Sequence, residues 1–321
     1  MNKNCFESSK SIRWCPGCGN YAILMAVEKA LFSVGFSSDN VVFVSGIGCS
    51  GRFPYYINSH GFHTLHGRAP AVATGLKMVR DDLNVWVVVG DGDGFSIGLS
   101  HMLHMIRRNV SVNVLFINNK IYALTKGQYS PTSEKYSISK SSPYGSLENP
   151  INPVLLALTV GATFVARAID NDSERLKLIL IEASKHKGLA FIEVLQNCSV
   201  FNNGIFDSFK ERDDKNNKLL FLKDNDYLVF GKNNEYALDL DENFKLRVVK
   251  NVNDNKNIML KYKVFDENIL QILLAKQSFI DSPFPVGIFR NFEKDTYEML
   301  YKKQLNSHKA VSSISELFNE L

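Results

Sequence analysis

Val85-Trp-Val-Val-Val-Gly-Asp-Gly-Asp-Gly94, followed by Val112-Asn-Val-Leu-Phe-Ile-Asn-Asn119, decides how this chain folds. Each is a short apolar run, rich in β-branched residues, that stops at a polar or glycine-rich turn. That is the pattern of a strand buried on both faces. Asn40-Val-Val-Phe-Val44 and Leu189-Ala-Phe-Ile-Glu-Val194 repeat it, and Thr163-Phe-Val-Ala166 is a weaker case. Between these runs the period changes to that of a helix. Ile23, Leu24, Val27 and Leu31 fall at helical spacing between Tyr21 and Phe32. Pro70 opens a helix reaching Arg80; Ser96 to Arg108 and Ser173 to Lys187 are also helical, the last capped by Asn171-Asp172-Ser173. Such strands alternating with helices predict an α/β fold, a doubly wound and mostly parallel sheet.

The rest of the 321 residues is read around that sheet. Residues 1–205 form the α/β domain, and residues 206–321 read as a C-terminal extension packed on the core or on a partner subunit. Asp207 to Lys218 is mostly charged, Leu219-Leu-Phe-Leu222 and Tyr227-Leu-Val-Phe230 are strand-like, and Asn251 to Asn257 reads as a loop. A hydrophobic fraction of 45% and a charged fraction of 22% exclude a disordered or fibrous chain. The net charge of +4, from 37 basic and 33 acidic residues, is too balanced for nucleic acid as the main partner. No apolar segment opens the chain, and no run approaches the roughly 20 residues of a membrane helix, so a cytoplasmic protein without membrane contact is expected. The five cysteines, Cys5, Cys15, Cys18, Cys49 and Cys198, are odd in number and argue against a disulfide framework.

Every unusual motif follows a predicted strand. Ser45-Gly-Ile-Gly-Cys-Ser-Gly-Arg52, Gly90-Asp91-Gly92, Asn118-Asn119 and Gln196-Asn-Cys198 each do so. Open α/β sheets bind ligands at that edge. Glycines let the backbone approach a diphosphate closely. An aspartate there opposes the phosphate unless a cation lies between them, and Mg²⁺ commonly bridges the two. The side-chain oxygen of Asn119 and the backbone carbonyl of Ile121 are candidates for further ligands.

Cys15-Pro-Gly-Cys18 leaves three readings open at this point. A thioredoxin-like dithiol would follow a βαβ core, but few residues precede this motif. Cys15, Cys18, Cys49 and Cys198 number four, which fits a structural zinc. The same four fit a [4Fe–4S] cluster, and the spacing does not choose between the metals.

Gly90-Asp-Gly with Asn118-Asn119 resembles the thiamine diphosphate motif. Gly-Asp-Gly-Asp-Gly-Phe-Ser-Ile-Gly98, Arg107-Arg-Asn109, Ile121-Tyr-Ala-Leu-Thr-Lys-Gly-Gln-Tyr-Ser-Pro-Thr-Ser133, His63-Thr-Leu-His-Gly-Arg68 and Pro285-Val-Gly-Ile-Phe-Arg290 extend the likeness. Together they resemble the β subunit of 2-oxoacid:ferredoxin oxidoreductases, and within these the 2-oxoglutarate type. The resemblance implies thiamine diphosphate and Mg²⁺ held by Asp91, Asn119 and the Ile121 carbonyl. It implies a [4Fe–4S] cluster on Cys15, Cys18, Cys49 and Cys198. It further implies coenzyme A as co-substrate, ferredoxin as electron acceptor, and an α subunit supplying the activating carboxylate, in an αβ or (αβ)₂ assembly. The expected cofactor contacts are Ile47, Gly48, His66, Gly67, Arg68, Gly90, Asp91, Gly92, Asp93, Asn119, Ile121, Leu124 and Thr125. Arg52, His66 and Leu124 are the expected catalytic-site residues, with Arg52 clamping the second carboxylate of 2-oxoglutarate. Lys126 and Gln128 are further candidates for substrate or cofactor contact. Ala123 departs from the glycine usual in the family. Two rival readings are the same chemistry on pyruvate or a range of 2-oxoacids, and a non-redox thiamine decarboxylase with a structural zinc.

Overall fold

The apolar runs pair into one sheet. The computed structural model describes residues 4–209, 216–250, 260–278 and 283–307. Strands β1 (Val41–Ser45), β2 (His60–His63), β3 (Asn84–Gly90), β4 (Asn113–Asn118), β5 (Phe164–Ile169) and β6 (Ala190–Leu195) lie parallel in the order β2-β1-β3-β4-β6-β5. Successive side chains of a strand point to opposite faces. Val42, Val44, Val85, Val87, Val89 and Val114 therefore meet one helical layer, and Val41, Phe43, Trp86, Val88 and Leu115 meet the other. The second layer holds α1 (Asn20–Val34) and α7 (Ser173–Lys185), with the short α2 (Phe53–Tyr56). The first holds α3 (Ala69–Val79), α5 (Leu99–Arg107) and α6 (Pro153–Val160). Burying each large aliphatic side chain contributes about 1.5–3 kcal/mol, so two-sided cover needs no cross-links. All five cysteines are free thiols.

Two sequence expectations are corrected. The helix expected from Ser96 begins at Leu99, and a separate short helix, α4 (Asp91–Phe95), starts directly at the Gly-Asp-Gly turn. The chain breaks between them because Gly98 passes close to Gly67: a Cβ on Gly98 would lie 2.5 Å from the Asp93 carbonyl oxygen and 3.0 Å from the Gly67 Cα. Asp172 is the N-cap residue of α7, but its side chain makes no capping bond. It lies 3.6 Å from Arg175 instead. In the C-terminal part, two strands continue the main sheet. These are β7 (Leu219–Leu222) and β11 (Phe284–Asn291), with β11 antiparallel to β5 and parallel to β7.

Between those two strands in sequence, β8 (Val229–Phe230), β9 (Tyr236–Leu240) and β10 (Leu246–Lys250) form a separate antiparallel sheet. The Asn251–Asn257 loop and residues 210–215 of the charged stretch lie outside the described residues. A buried ion pair fastens the two halves of the main sheet. Arg167 Nε donates to Glu193 Oε2 at 2.6 Å, and Arg167 Nη1 donates to the Pro285 carbonyl at 3.2 Å. Among the described residues no helix is long and apolar enough to cross a membrane.

Candidate active site

From β1 the chain runs outward to β2 and returns to β3 on the other side of β1. The loops after β1 and β3 therefore diverge, which opens a crevice at the carboxyl edge of the sheet. A cavity of about 430 Å³ occupies it. Its wall is formed by Ile47, Gly48, Cys49 and Ser50 after β1, His66 after β2, and Gly90, Asp91, Gly92 and Asp93 after β3. Asn119, Ile121, Tyr122, Leu124, Thr125 and Gln128 follow β4, Gln196 follows β6, and Asn20 opens α1.

One end of the cavity carries the aspartates. Asp91 is 2% exposed, and its Oδ2 accepts from Ser130 Oγ at 2.5 Å and from Thr132 Oγ1 at 2.7 Å. Burial pushes its carboxyl pKa up, and the two hydroxyls oppose that by favouring the charged form. Asn119 Oδ1 accepts from the Ile121 backbone N–H at 3.2 Å, while its Nδ2 donates to Gln196 Oε1 at 3.1 Å. Its neighbour Asn118 instead donates to Glu193 Oε1 at 2.8 Å, so the first asparagine of the pair supports the sheet and the second faces the cavity. Tyr122 lies across Gly92 and donates to its carbonyl at 3.0 Å. A Cβ on Gly92 would sit 2.2 Å from that ring, so only glycine lets the two loops meet.

Asp93 does a different job. Its Oδ1 accepts from the backbone N–H of Ile47 at 3.1 Å and of Gly67 at 2.8 Å, and lies 2.5 Å from His66 Nδ1. One carboxylate thus ties the loops after β1 and β2 to α4. With Nδ1 engaged, Nε2 is the His66 ring nitrogen left for the cavity.

Of the four cysteines Cys49 lines the cavity, and the segments of the other three gather beside it. Cys15-Pro16-Gly17-Cys18 is a tight turn, closed by Cys18 N–H donating to the Cys15 carbonyl at 3.1 Å, with Gly17 at φ 76°. Proline then glycine is the pair such a turn requires. Trp14 donates from Nε1 to the Cys49 carbonyl at 2.7 Å and packs edge-on against Tyr56. Ser199 Oγ donates to the Pro16 carbonyl at 2.8 Å, and Gly19 N–H to the Asn197 carbonyl at 3.1 Å. These bonds bring the segments of Cys15, Cys18, Cys49 and Cys198 together.

The thiols feel one another. Burial pushes the Cys18 thiol up to about 12, and Cys49, Cys198 and Cys15 add to the shift. The Cys49 thiol is raised by burial, Cys198 and Cys15, and is partly offset by Arg52. Among the described residues, no three or more Cys, His, Asp or Glu side chains converge closely enough to hold one metal ion. Cys5 lies apart, exposed, with its Sγ 3.9 Å from the Phe36 carbonyl.

Most of the expected cofactor contacts share the cavity, but Gly67, Arg68, Arg52, Lys126 and three of the four expected cluster ligands, Cys15, Cys18 and Cys198, do not line it. Arg52 Nη1 donates to the Arg13 carbonyl at 3.0 Å and lines a second groove beyond Cys49. Lys126, at φ 82°, is at the tip of the loop closed by Tyr122 and Gln128. The sequence reading had missed Asn20, Ser50, Tyr122, Ser130, Thr132 and Gln196. Gln196 matters most, because it joins the two ends: its Oε1 accepts from Asn119, and its Nε2 lies 3.4 Å from Cys18 Sγ. Its position two residues before Cys198, like that of Asn20 two after Cys18, was the available signal.

Residues 46–194 match the family described as "Thiamine pyrophosphate enzyme, C-terminal TPP binding domain". The 2-oxoglutarate oxidoreductase subunit KorB of Mycobacterium tuberculosis is 45% identical over 302 residues, which cover 94% of this chain and 80% of that protein. A Sulfolobus 2-oxoacid:ferredoxin oxidoreductase subunit beta is 48% identical over 192 residues, covering 59% of this chain and 63% of that one. Among solved structures, a chain of the 2-oxoglutarate:ferredoxin oxidoreductase from Magnetococcus marinus, with 2-oxoglutarate, coenzyme A and succinyl-CoA bound, superposes with a TM-score of 0.76. That match has 32% identity and covers 96% of this chain and 91% of the other. These relatives place the chain: it belongs to the 2-oxoacid:ferredoxin oxidoreductase family, as a β subunit of the 2-oxoglutarate oxidoreductase kind.

Proposed function

We propose that this chain is the thiamine diphosphate-binding β subunit of an enzyme that converts 2-oxoglutarate and coenzyme A to succinyl-CoA and CO₂, passing two electrons to ferredoxin. The single observation that carries this is one cavity lined by the buried carboxylate of Asp91 and by Cys49, with the segments of Cys15, Cys18 and Cys198 hydrogen-bonded together beside it. The mutual repulsion of the thiols eases once a cationic centre takes them as thiolates. The likeness to 2-oxoacid:ferredoxin oxidoreductases, rather than the spacing of the thiols, favours a [4Fe–4S] cluster over zinc.

The residues present fit the groups proposed. Asp91 is placed to neutralise Mg²⁺, with the Asn119 side-chain oxygen and the Ile121 carbonyl as its companions. Both side-chain amide atoms of Asn20 and Asp93 Oδ2, on residues that line the cavity, are buried without a hydrogen-bond partner, as is Nη1 of Arg68, which does not line it. Such groups are costly unless a ligand satisfies them. Thiamine diphosphate supplies, when bound, the carbon nucleophile and electron sink that decarboxylation needs, and a [4Fe–4S] cluster accepts electrons singly.

The chain's own work is positional. The glycines at 90 and 92 admit a diphosphate to the backbone. Asp93 holds the ring of His66, so that Nε2 can hold or pass a proton at the cavity wall. Leu124, Thr125 and Gln128 close the far side. Asp91 and Asp93 are the only carboxylates lining the cavity among the described residues, and both are engaged at the diphosphate end. The likeness to the family implies that the α subunit supplies the carboxylate that activates the cofactor's pyrimidine, so the isolated chain is expected to be inactive.

The second reading, activity on pyruvate or several 2-oxoacids, is favoured by one observation. No lysine or arginine lines the cavity among the described residues. Grip on the second carboxylate then falls to Arg52, released from the Arg13 carbonyl, or to the α subunit. The test is kcat/KM of the assembled complex on 2-oxoglutarate, pyruvate and 2-oxobutyrate, for the native protein and Arg52→Ala. A preference for 2-oxoglutarate of at least about tenfold, reduced by Arg52→Ala, supports the first reading. Equal rates on all three substrates would establish the second.

A further inference from the structure

Gln196 follows β6 directly, and every hydrogen-bonding group of its side chain is engaged inside the site. Its backbone N–H donates to the Asn118 carbonyl at 2.9 Å, which carries the β4–β6 pairing one residue past β6. The side chain is buried, 1% exposed. Its Oε1 accepts from Asn119 Nδ2 at 3.1 Å. Its Nε2 donates to the Asn197 carbonyl, and to Cys18 Sγ at 3.4 Å. A side-chain amide has one oxygen and two N–H bonds. Reversed, it would set its nitrogen against the Asn119 N–H and its oxygen against the Asn197 carbonyl, so the partners fix which way it points. Gly19 leaves the space for this arrangement. A Cβ there would lie 3.0 Å from Gln196 Cγ and 1.8 Å from Asp170 Oδ2, the oxygen that accepts from the Asn197 backbone N–H.

The orientation passes to Asn119. With Nδ2 given to Gln196, Asn119 Oδ1 is turned the other way. There it accepts from the Ile121 backbone N–H at 3.2 Å and keeps a second lone pair for the cavity. We infer that Gln196 is a positioning residue for two centres at once: it presents the Asn119 oxygen to Mg²⁺ and donates a hydrogen bond to the cluster-ligand sulfur of Cys18. This rests on the reading above of a thiamine diphosphate and iron–sulfur subunit, and adds to it the side chain that holds a ligand of each. Partners that orient a ligand set the affinity for its metal. An N–H beside a ligand sulfur favours the extra negative charge of a reduced cluster, and so raises its potential. The two effects belong to different atoms of one amide, the oxygen for the first and the N–H for the second.

The test uses the anaerobic complex of this chain with its α subunit, and two variants that divide those atoms. Gln196→Glu keeps an oxygen for Asn119 and removes the N–H from Cys18. Gln196→Met keeps the length and removes both. The Mg²⁺ needed for half-maximal thiamine diphosphate binding is read by calorimetry on complex freed of that cofactor, and the cluster midpoint by redox titration. Both variants should lower the midpoint by about 59 mV, tenfold in the one-electron equilibrium. The Mg²⁺ requirement should stay within about threefold for Gln196→Glu and rise at least about tenfold for Gln196→Met. A side chain that only fills space would leave both readouts at their native values in Gln196→Met, and that result would overturn the proposal. So would a midpoint that moves in neither variant, or a Mg²⁺ requirement that rises equally in both. Should Gln196→Met not assemble, Gln196→Asn, which withdraws the amide by one methylene, is read in its place. A native complex with no reducible cluster, or with cofactor binding that ignores Mg²⁺, would break the proposed function itself before any variant is compared, and the role of Gln196 would fall with it.

Discussion

The two ends of the cavity are built on opposite principles. At the aspartate end the protein has met much of the cost of a buried charge: Ser130 and Thr132 donate to Asp91, and two backbone N–H groups donate to Asp93 Oδ1, although Asp93 Oδ2 is left without a partner. At the thiol end compensation is slight: the Asn20 backbone and Gln196 Nε2 bond to Cys18, and Arg52 offsets part of the rise at Cys49, yet burial still holds Cys18 far above an ordinary thiol. The first end is a preformed receptor. The second is a site whose folded state is strained electrostatically whenever its thiols ionise without a metal. Gln196 touches both and makes them one site.

The contrast can be broken most forcefully by Cys18→Ser. Iron is expected to fall from about four per chain, the content of a [4Fe–4S] centre, and ferredoxin reduction to stop, while thiamine diphosphate still binds. Calorimetry of cofactor binding beside an iron assay separates the two. Loss of cofactor binding as well would show that the ends are not independent. Asp91→Asn is the mirror experiment. It should keep the iron and lower kcat/KM for 2-oxoglutarate by about 100-fold, the equivalent of roughly 3 kcal/mol for a charge-assisted contact.

Smaller effects sharpen the comparison. Glu193→Ala strands the buried Arg167 beneath both ends, so thermal or urea unfolding should show a loss of about 3–5 kcal/mol. Thr132→Ala removes one donor to Asp91 and should cost about 1–2 kcal/mol by the same measurement.

The metal-free chain should respond to pH through Cys18. Its pKa is raised from 9.0 to about 12, so the folded state holds the proton more tightly than the unfolded state. The stability this contributes is present below pH 9 and is lost as the pH rises from 9 towards 12. Alkylation mass spectrometry offers a second view: exposed Cys15 should react with iodoacetamide well before Cys18 at pH 8.

Much of this was legible in the sequence, for identifiable reasons. Doubly buried strands need unbroken apolar runs, and those of β1, β3, β4 and β6 stand out at once. Strand β2 did not, because all four of its residues are exposed at the sheet edge and no apolar run marks it. The joining of β7 and β11 to the main sheet was hidden as well, since pairing partners far apart in the chain leave no periodic trace. The same limit applies within the site. Asp91, Asn119 and the cysteines announce themselves by type and spacing. Ser130 and Thr132 lie 39 and 41 residues from the carboxylate they serve, in a loop whose fold only tertiary contacts define. Gly-Asp-Gly read as a turn, yet it begins a helix, because Tyr122 and the Asp93 contacts fix its backbone against local preference.

The most direct test of the joined site is anaerobic. The chain is purified with its α subunit, iron, sulfide and zinc are counted, and the visible spectrum is recorded before and after 2-oxoglutarate and coenzyme A are added. About four irons per chain and a broad absorption near 400 nm that bleaches on adding substrate, without dithionite, are expected. A colourless protein with stoichiometric zinc, or an iron centre that stays oxidised while CO₂ is released, would contradict the coupling of the two ends.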